Sequence, residues 1–153
     1  MKAPPNVIKI GSDFFAQPVL GPPVPVVVHG DGCTRAPCGC FGISAEVHEA
    51  ATGILVVRLL LAGEVVGVVR LLPVSGRLVM ASAASYRAST TEDWAWHHQV
   101  VTELLLRESV RLADKCGCAL DTSWEEPRAL LAELGFVPVG LVLRRGQVAG
   151  EQA

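Results

Sequence analysis

The sequence predicts a mixed α/β domain, a mostly antiparallel sheet flanked by helices, behind an extended proline- and glycine-rich N-terminal arm. Three observations carry that reading. Apolar segments between residues 53 and 86 are separated by hairpin-length turns. A long stretch from Trp94 repeats its apolar residues with helical period. The segment Ser123–Gly140, SWEEPRALLAELGFVPVG, reads as a short helix that stops at a glycine and turns straight into a strand.

Taken in order, residues 1–40 form the arm and hold seven of the ten prolines. Proline removes a ladder donor, so only short strands are expected there, at Val7–Ile10 and Val26–His29. Residues 41–146 form the α/β domain, and residues 147–153 a C-terminal tail. Glu46–Ala50 leads in as a short strand or turn. Strands follow at Gly53–Leu61, Glu64–Leu72 and Arg77–Tyr86, joined by turns at Leu61–Glu64 and Pro73–Gly76. Ser89, Thr90 and Thr91 offer N-caps to the long helix, with Glu92 and Asp93 in its first turn. Trp94, Val101, Leu105, Leu112 and Cys116 make one apolar face, and Leu106, Val110 and Ala113 a second. Glu103 and Arg107 are spaced for an i,i+4 ion pair. Gly117 ends the helix, and Ala119–Thr122 reads as a short buried strand. In the closing segment Ser123 is the expected N-cap, Pro127 falls in the first turn, and Leu130, Leu131 and Leu134 face the core. Gly135 takes the left-handed position, and Val137, Val139, Leu141 and Leu143 alternate as one strand.

A chain of 153 residues fits one domain and buries roughly 70% of its unfolded surface. Half of the residues are hydrophobic and 18% are charged, which points to apolar surface that meets a protein partner or a second copy. Net charge is −2 with the basic residues scattered, so neither a nucleic acid nor a membrane surface is an expected partner. The apolar runs are cut by Arg58, Glu64 and Arg70 and are too short to span a bilayer. The first residues, MKAPPNVIKIG, lack the apolar core of a signal peptide, so a cytoplasmic location is expected.

The ending L-x-x-L-G-F-V-P-V-G (Leu131–Gly140) resembles the closing helix and strand of the GNAT superfamily of acyl-CoA-dependent N-acyltransferases. LAGEVVGVVRL resembles that family's second and third strands. RLVMASAASYR stands where its fourth strand is placed, and Asp93–Cys116 where its central helix is placed. The resemblance covers about residues 50–145 and implies a GNAT-like fold. It also implies where an acyl-CoA would sit. The family cradles the CoA pyrophosphate on an Arg/Gln-x-x-Gly-x-Gly/Ala loop, whose glycines let backbone N–H groups approach the phosphates. Here that run is Arg87-Ala88-Ser89-Thr90-Thr91-Glu92-Asp93. Arg87 fits the first position, glycine is absent, and two carboxylates close the run. Arg87, Ser89, Thr90 and Thr91 are the cofactor-binding candidates if CoA binds. The family's proton-donating Tyr falls at Leu131, and an Asn that touches CoA falls near Trp124. Its usual carboxylate base has no counterpart in Val79–Tyr86. Tyr86 is the one candidate proton donor left on that strand.

The five cysteines are odd in number and clustered, unlike a secreted disulfide framework. His29, Cys33, Cys38 and Cys40 are candidate zinc ligands, although their spacing does not reproduce paired Cys-x2–4-Cys knuckles. Cys116 and Cys118 form a second cluster. His97 and His98 point about 100° apart on a helix and read as packing and capping residues, His48 as structural. Trp94 is a core residue by its spacing, and Trp96 on the polar side is a partner-contact candidate. The degenerate CoA positions favour a non-catalytic structural or assembly subunit of GNAT fold, with no cofactor, that grips its neighbours through the arm. GNAT-like proteins of bacteriophage morphogenesis are the analogy for such a virion or assembly role. The alternative is an acetyl-CoA-dependent N-acyltransferase with an atypical pyrophosphate loop.

Overall fold

The alternating segments build one eight-stranded sheet in the computed structural model, which describes residues 24–25, 43–50, 53–61, 63–86 and 94–147. Its strands are β1 (Val24–Pro25), β2 (Ile43–Glu49), β3 (Leu55–Leu61), β4 (Glu64–Val74), β5 (Arg77–Ser85), β6 (Ala119–Thr122), β7 (Val137–Val139) and β8 (Val142–Arg145). The helices are α1 (Trp94–Cys116) and α2 (Arg128–Glu133). Spatial order is β1-β2-β3-β4-β5-β6-β8-β7. All neighbours pair antiparallel except β5 and β6, which are parallel because α1 crosses between them. The fold is therefore the mixed α/β one that the sequence predicts.

Period-2 alternation gives the sheet two unlike faces. Ile43, Val57, Leu59, Val69 and Leu71 point to the face covered by α1, where they meet Val101, Leu105, Leu106 and Ala113. Leu130 and Leu131 of α2 join the same core. Val101, Leu105 and Leu112 of one predicted strip of α1 and Leu106, Val110 and Ala113 of the other are buried, the side chains of Trp94 and Trp96 lie outside the described ones, and Glu103 pairs with Arg107 at 3.5 Å. Cys116 departs from its predicted place on the stripe and is exposed, because the helix has already run past the sheet. On the opposite face Val56, Val65 and Val68 form a smaller buried cluster against Leu60 and Tyr86.

Helix α1 lies unusually close to β4 at one residue. A Cβ on Gly67 would stand 2.7 Å from Cγ1 of Val101 and 3.4 Å from Leu105. Only a residue without a side chain admits the helix at that distance.

At the other end of the sheet a carboxylate joins three strands. Asp121, on the fully buried β6, accepts hydrogen bonds from Arg144 at 2.6 and 3.0 Å. Arg77 of β5 approaches the same carboxylate at 2.9 Å, as an ion pair rather than an aligned hydrogen bond. Arg145 then donates to the Leu134 carbonyl at 2.7 Å and pairs with Asp114, tying β8 to the ends of both helices.

The closing segment differs from its sequence reading in two ways. Its helix begins at Arg128 with Pro127 as N-cap, φ −77° and ψ 120°; Pro127 has no polar side chain to cap with, and the Arg128 N–H donates instead to the Glu126 carboxylate at 3.0 Å. Ser123 lies too far upstream to cap it, since residues 123–126 belong to neither β6 nor the helix. Beyond Gly135, the single predicted strand is a hairpin. Val139 pairs with Val142, so Gly140 and Leu141 form a two-residue turn, and Gly140 has φ +61°. The helix stop itself is as predicted: Gly135 has φ +94°, and the N–H groups of Gly135 and Phe136 bond to the carbonyls of Ala132 and Leu131. Among the described residues no helix is long and apolar enough to cross a membrane. The expected strands Val7–Ile10 and Val26–His29 lie outside the described residues.

Gly67→Ala is expected to cost about 1–3 kcal/mol through overpacking, read as a lower denaturant midpoint, and Val101→Ala in the same chain should recover most of the loss. Asp121→Ala should cost about 3–5 kcal/mol, because it leaves two partly buried guanidinium groups without their carboxylate; a loss below 1 kcal/mol in urea titration would place the clamp outside the stability core.

Candidate functional site

Parallel pairing of β5 with β6 is short. It covers Arg77↔Ala119, Leu78↔Leu120 and Val79↔Asp121 and stops there. β5 nonetheless runs on to Ser85, still paired with β4 on its other side. Two sequence features force the separation. The register of β5 on β4 shifts between Arg70 and Leu71, which leaves Ala81 as a bulged residue that bends the strand. On the other side the chain leaves β6 after Thr122, and its direction is fixed when Thr122 Oγ1 accepts the N–H of Trp124 at 3.1 Å.

A cleft of about 490 Å³ opens between the parted strands, within the range of small-molecule sites. Its walls are Ala83 and Ser85 of β5, His98 and Thr102 of α1, and Trp124 and Glu125 of the loop after β6. Alanines and serines at Ala81–Ser85 leave the strand edge uncovered, with Ala81, Ser82 and Ala83 exposed. The orientation of that edge follows from one bond. Tyr86 donates its N–H to the Val66 carbonyl of β4 at 2.8 Å. Backbone groups alternate sides along a strand, so Ala84 faces β4 in the same way while Ala83 and Ser85 turn their N–H and C=O groups into the cleft. The cleft thus has one wall of oriented backbone donors and acceptors, beside an imidazole. His98 Nδ1 is hydrogen-bonded to the Ser85 hydroxyl.

This arrangement brings together residues that the sequence separated. His98 read as a packing residue; it lines the cleft instead, because one helical turn beyond Trp94 places it over the end of β5. Trp124, at the position the resemblance gives to a CoA-touching Asn, is half-buried against the main core and lines the cleft. Leu131, at the family's Tyr position, is a core residue with 2% exposure and offers no proton. Arg87, Ser89, Thr90 and Thr91 lie outside the described residues, as do His29, Cys33, Cys38 and Cys40. Among the described residues no group of three or more His, Cys, Asp or Glu is placed to hold a metal ion.

Tyr86 stands apart from the cleft. Its ring packs on the Val56, Val65 and Val68 cluster, and its hydroxyl is buried with no hydrogen-bond partner among the described residues. Burial raises its pKa above the usual 10.0. His48 lies near the opposite edge of the same face, 8% exposed and 3.6 Å from Glu46, which also pairs with Arg58.

From β3 onward the described elements run three strands, helix, strand, helix and a two-stranded hairpin, the order read from the sequence except that its last strand is the β7–β8 hairpin. A search of solved structures finds similarity to the crystal structure of an acyl-CoA N-acyltransferase from Pseudomonas aeruginosa. That protein is 19% identical, with 63% of this chain and 71% of that chain covered and a TM-score of 0.43. No family model matches the chain, and no curated protein matches it.

Tyr86 is the only tyrosine of the chain, so tyrosinate absorbance reports it alone. Its raised pKa means that the folded state holds the phenolic proton more tightly than the unfolded state does. That contribution is complete below about pH 10 and is lost as pH rises from there through the folded pKa. The native protein should therefore titrate above the urea-unfolded chain, and Tyr86→Phe should flatten the alkaline fall in melting temperature. Because the hydroxyl makes no bond among the described residues, that variant should melt at or above the parent temperature at pH 7.

Proposed function

We propose that the chain is an acyl-CoA-dependent N-acyltransferase that holds its donor along the unpaired edge of β5. The observation that carries this reading is the separation of β5 from β6 after Val79, with the cleft-facing backbone of Ala83 and Ser85 beyond it. The pantetheine arm of CoA is extended and contains two amides. Such an arm can take the place of the missing strand, exchanging main-chain hydrogen bonds with β5 as an added peptide strand does. The thioester is then held at the point where β6 leaves the sheet. There an amine nitrogen attacks the thioester carbon; the C–N bond forms, the C–S bond breaks, one proton leaves nitrogen and one ends on the CoA sulfur. Glu125, Glu126 and His98, the last hydrogen-bonded to Ser85, are the acid–base groups that line the cleft. They take over a task for which Leu131 is unsuited.

A second reading keeps the fold as a non-catalytic scaffold. It is favoured by the apolar outer hairpin, where Val137 and Val139 are exposed and Leu141 is fully so. Apolar side chains left in water at a sheet edge are a contact surface for a neighbouring protein.

Thermal melting with acetyl-CoA separates the two. At 100 times its dissociation constant the donor adds about 2.7 kcal/mol, a rise of several degrees for a domain of this size. Ala83→Pro removes one cleft-facing N–H while sparing the β4 ladder, so it should weaken acetyl-CoA at least tenfold with little change in the unliganded melt. The absence of any acetyl-CoA shift in the parent chain would favour the scaffold.

A further inference from the structure

A second concavity, of about 420 Å³, lies between α2 and the β7–β8 hairpin. Its floor is Leu131 and Phe136, 2% and 6% exposed, and its sides are Trp124 and the turn residue Leu141. Two charged side chains interrupt this apolar lining, Glu125 and Arg128. Trp124 and Glu125 line the donor cleft as well, whereas Arg128 lines this pocket alone. The two concavities therefore share one wall, with Glu125 on the shared side and Arg128 away from it.

We propose that this pocket is the acceptor subsite and takes an apolar α-amino acid, a proposal that rests on the acyl-transfer reading. The chemistry of the lining selects the class. Apolar walls on several sides reward a hydrophobic side chain of leucine or phenylalanine size. A simple ammonium ion would find Glu125 but also the like charge of Arg128, and a simple carboxylate would meet the reverse. A zwitterion satisfies both, with its ammonium toward Glu125 and its carboxylate toward Arg128, where a guanidinium offers paired donors. Placement then fixes orientation. Glu125 belongs to the wall common with the donor cleft, so the amino group is the end presented to the thioester. Acylation falls on the α-nitrogen, and the C–N bond is made across the Ser123–Glu125 segment that both concavities share. The carboxylate of Glu125 lies where it can draw the ammonium in and receive the proton that the nitrogen must lose before attack.

Calorimetric titration of the full chain with L-phenylalanine, phenethylamine and 3-phenylpropionate, each with and without acetyl-CoA, tests this. Phenylalanine should bind about 10–100-fold more tightly than either analogue, because each analogue leaves one charged group unpaired. Arg128→Gln should erase the preference for phenylalanine over phenethylamine. The acetyl-CoA melting shift should persist in that variant, since Arg128 lines no part of the donor cleft. Equal affinity for phenylalanine and phenethylamine, a preference untouched by Arg128→Gln, or no phenylalanine binding when acetyl-CoA is bound would each overturn the proposal while leaving the donor reading intact. Phenylalanine binding of the expected selectivity without any acetyl-CoA shift would sustain the pocket and overturn the acyl-transfer reading instead.

Discussion

Asp121 holds β5, β6 and β8 together at the place where β5 and β6 begin to separate. A carboxylate with 3% residue exposure is tolerable there because Arg144 binds both of its oxygens and Arg77 approaches from the other strand. The last β5–β6 pair, Val79↔Asp121, lies at the same point. Behind it the sheet is continuous; beyond it one strand bends at a bulge and the other ends. Both described concavities lie beyond that junction, so the clamp sets the geometry of their walls.

The close approach of α1 to β4 is the second constraint. With no side chain at Gly67, Val101 and Leu105 settle directly on the sheet. This seating fixes the start of the described helix over the end of β5 and carries His98 to Ser85. Packing in the core and placement of the His98 imidazole in the cleft are thus one arrangement. The same economy holds on the far side, where Arg145 ties β8 to the Leu134 carbonyl and to Asp114 and so positions the hairpin against α2. The walls of both concavities are elements held from behind by these contacts.

The two faces of the sheet carry different burdens. The α1 face is a continuous aliphatic core with Ser109 and Glu108 among its few buried polar residues. Ser109 satisfies its hydroxyl on the Leu105 carbonyl at 2.7 Å, and Glu108 accepts from Arg111 at 2.9 Å. The other face mixes a small valine cluster with charged side chains of β2, β3 and β4, and with Tyr86, whose hydroxyl is buried without a described partner. Among the described residues, the larger open cleft lies at the seam between strands, where backbone groups are turned outward.

Local sequence determined a large part of this. Alternation between residues 53 and 86, the helical period from Trp94 and the Gly135 stop each depend on neighbours a few residues apart, and each element formed close to where its pattern lies. The small residues of β5 were legible too, although their purpose was not; alanine and serine read as a weak strand until the missing neighbour explains them. Gly140 in a two-residue loop was a legible hairpin signal hidden inside an unbroken alternation of apolar residues. What only the tertiary structure decided are the relations across long separations. Sequence gave no reason to join Arg77, Asp121 and Arg144, or Ser85 and His98, or to set Glu125 and Arg128 around one apolar hollow. Those contacts depend on where a parallel pairing stops and how closely a helix can approach, and both are set by packing across the whole sheet rather than by any local period.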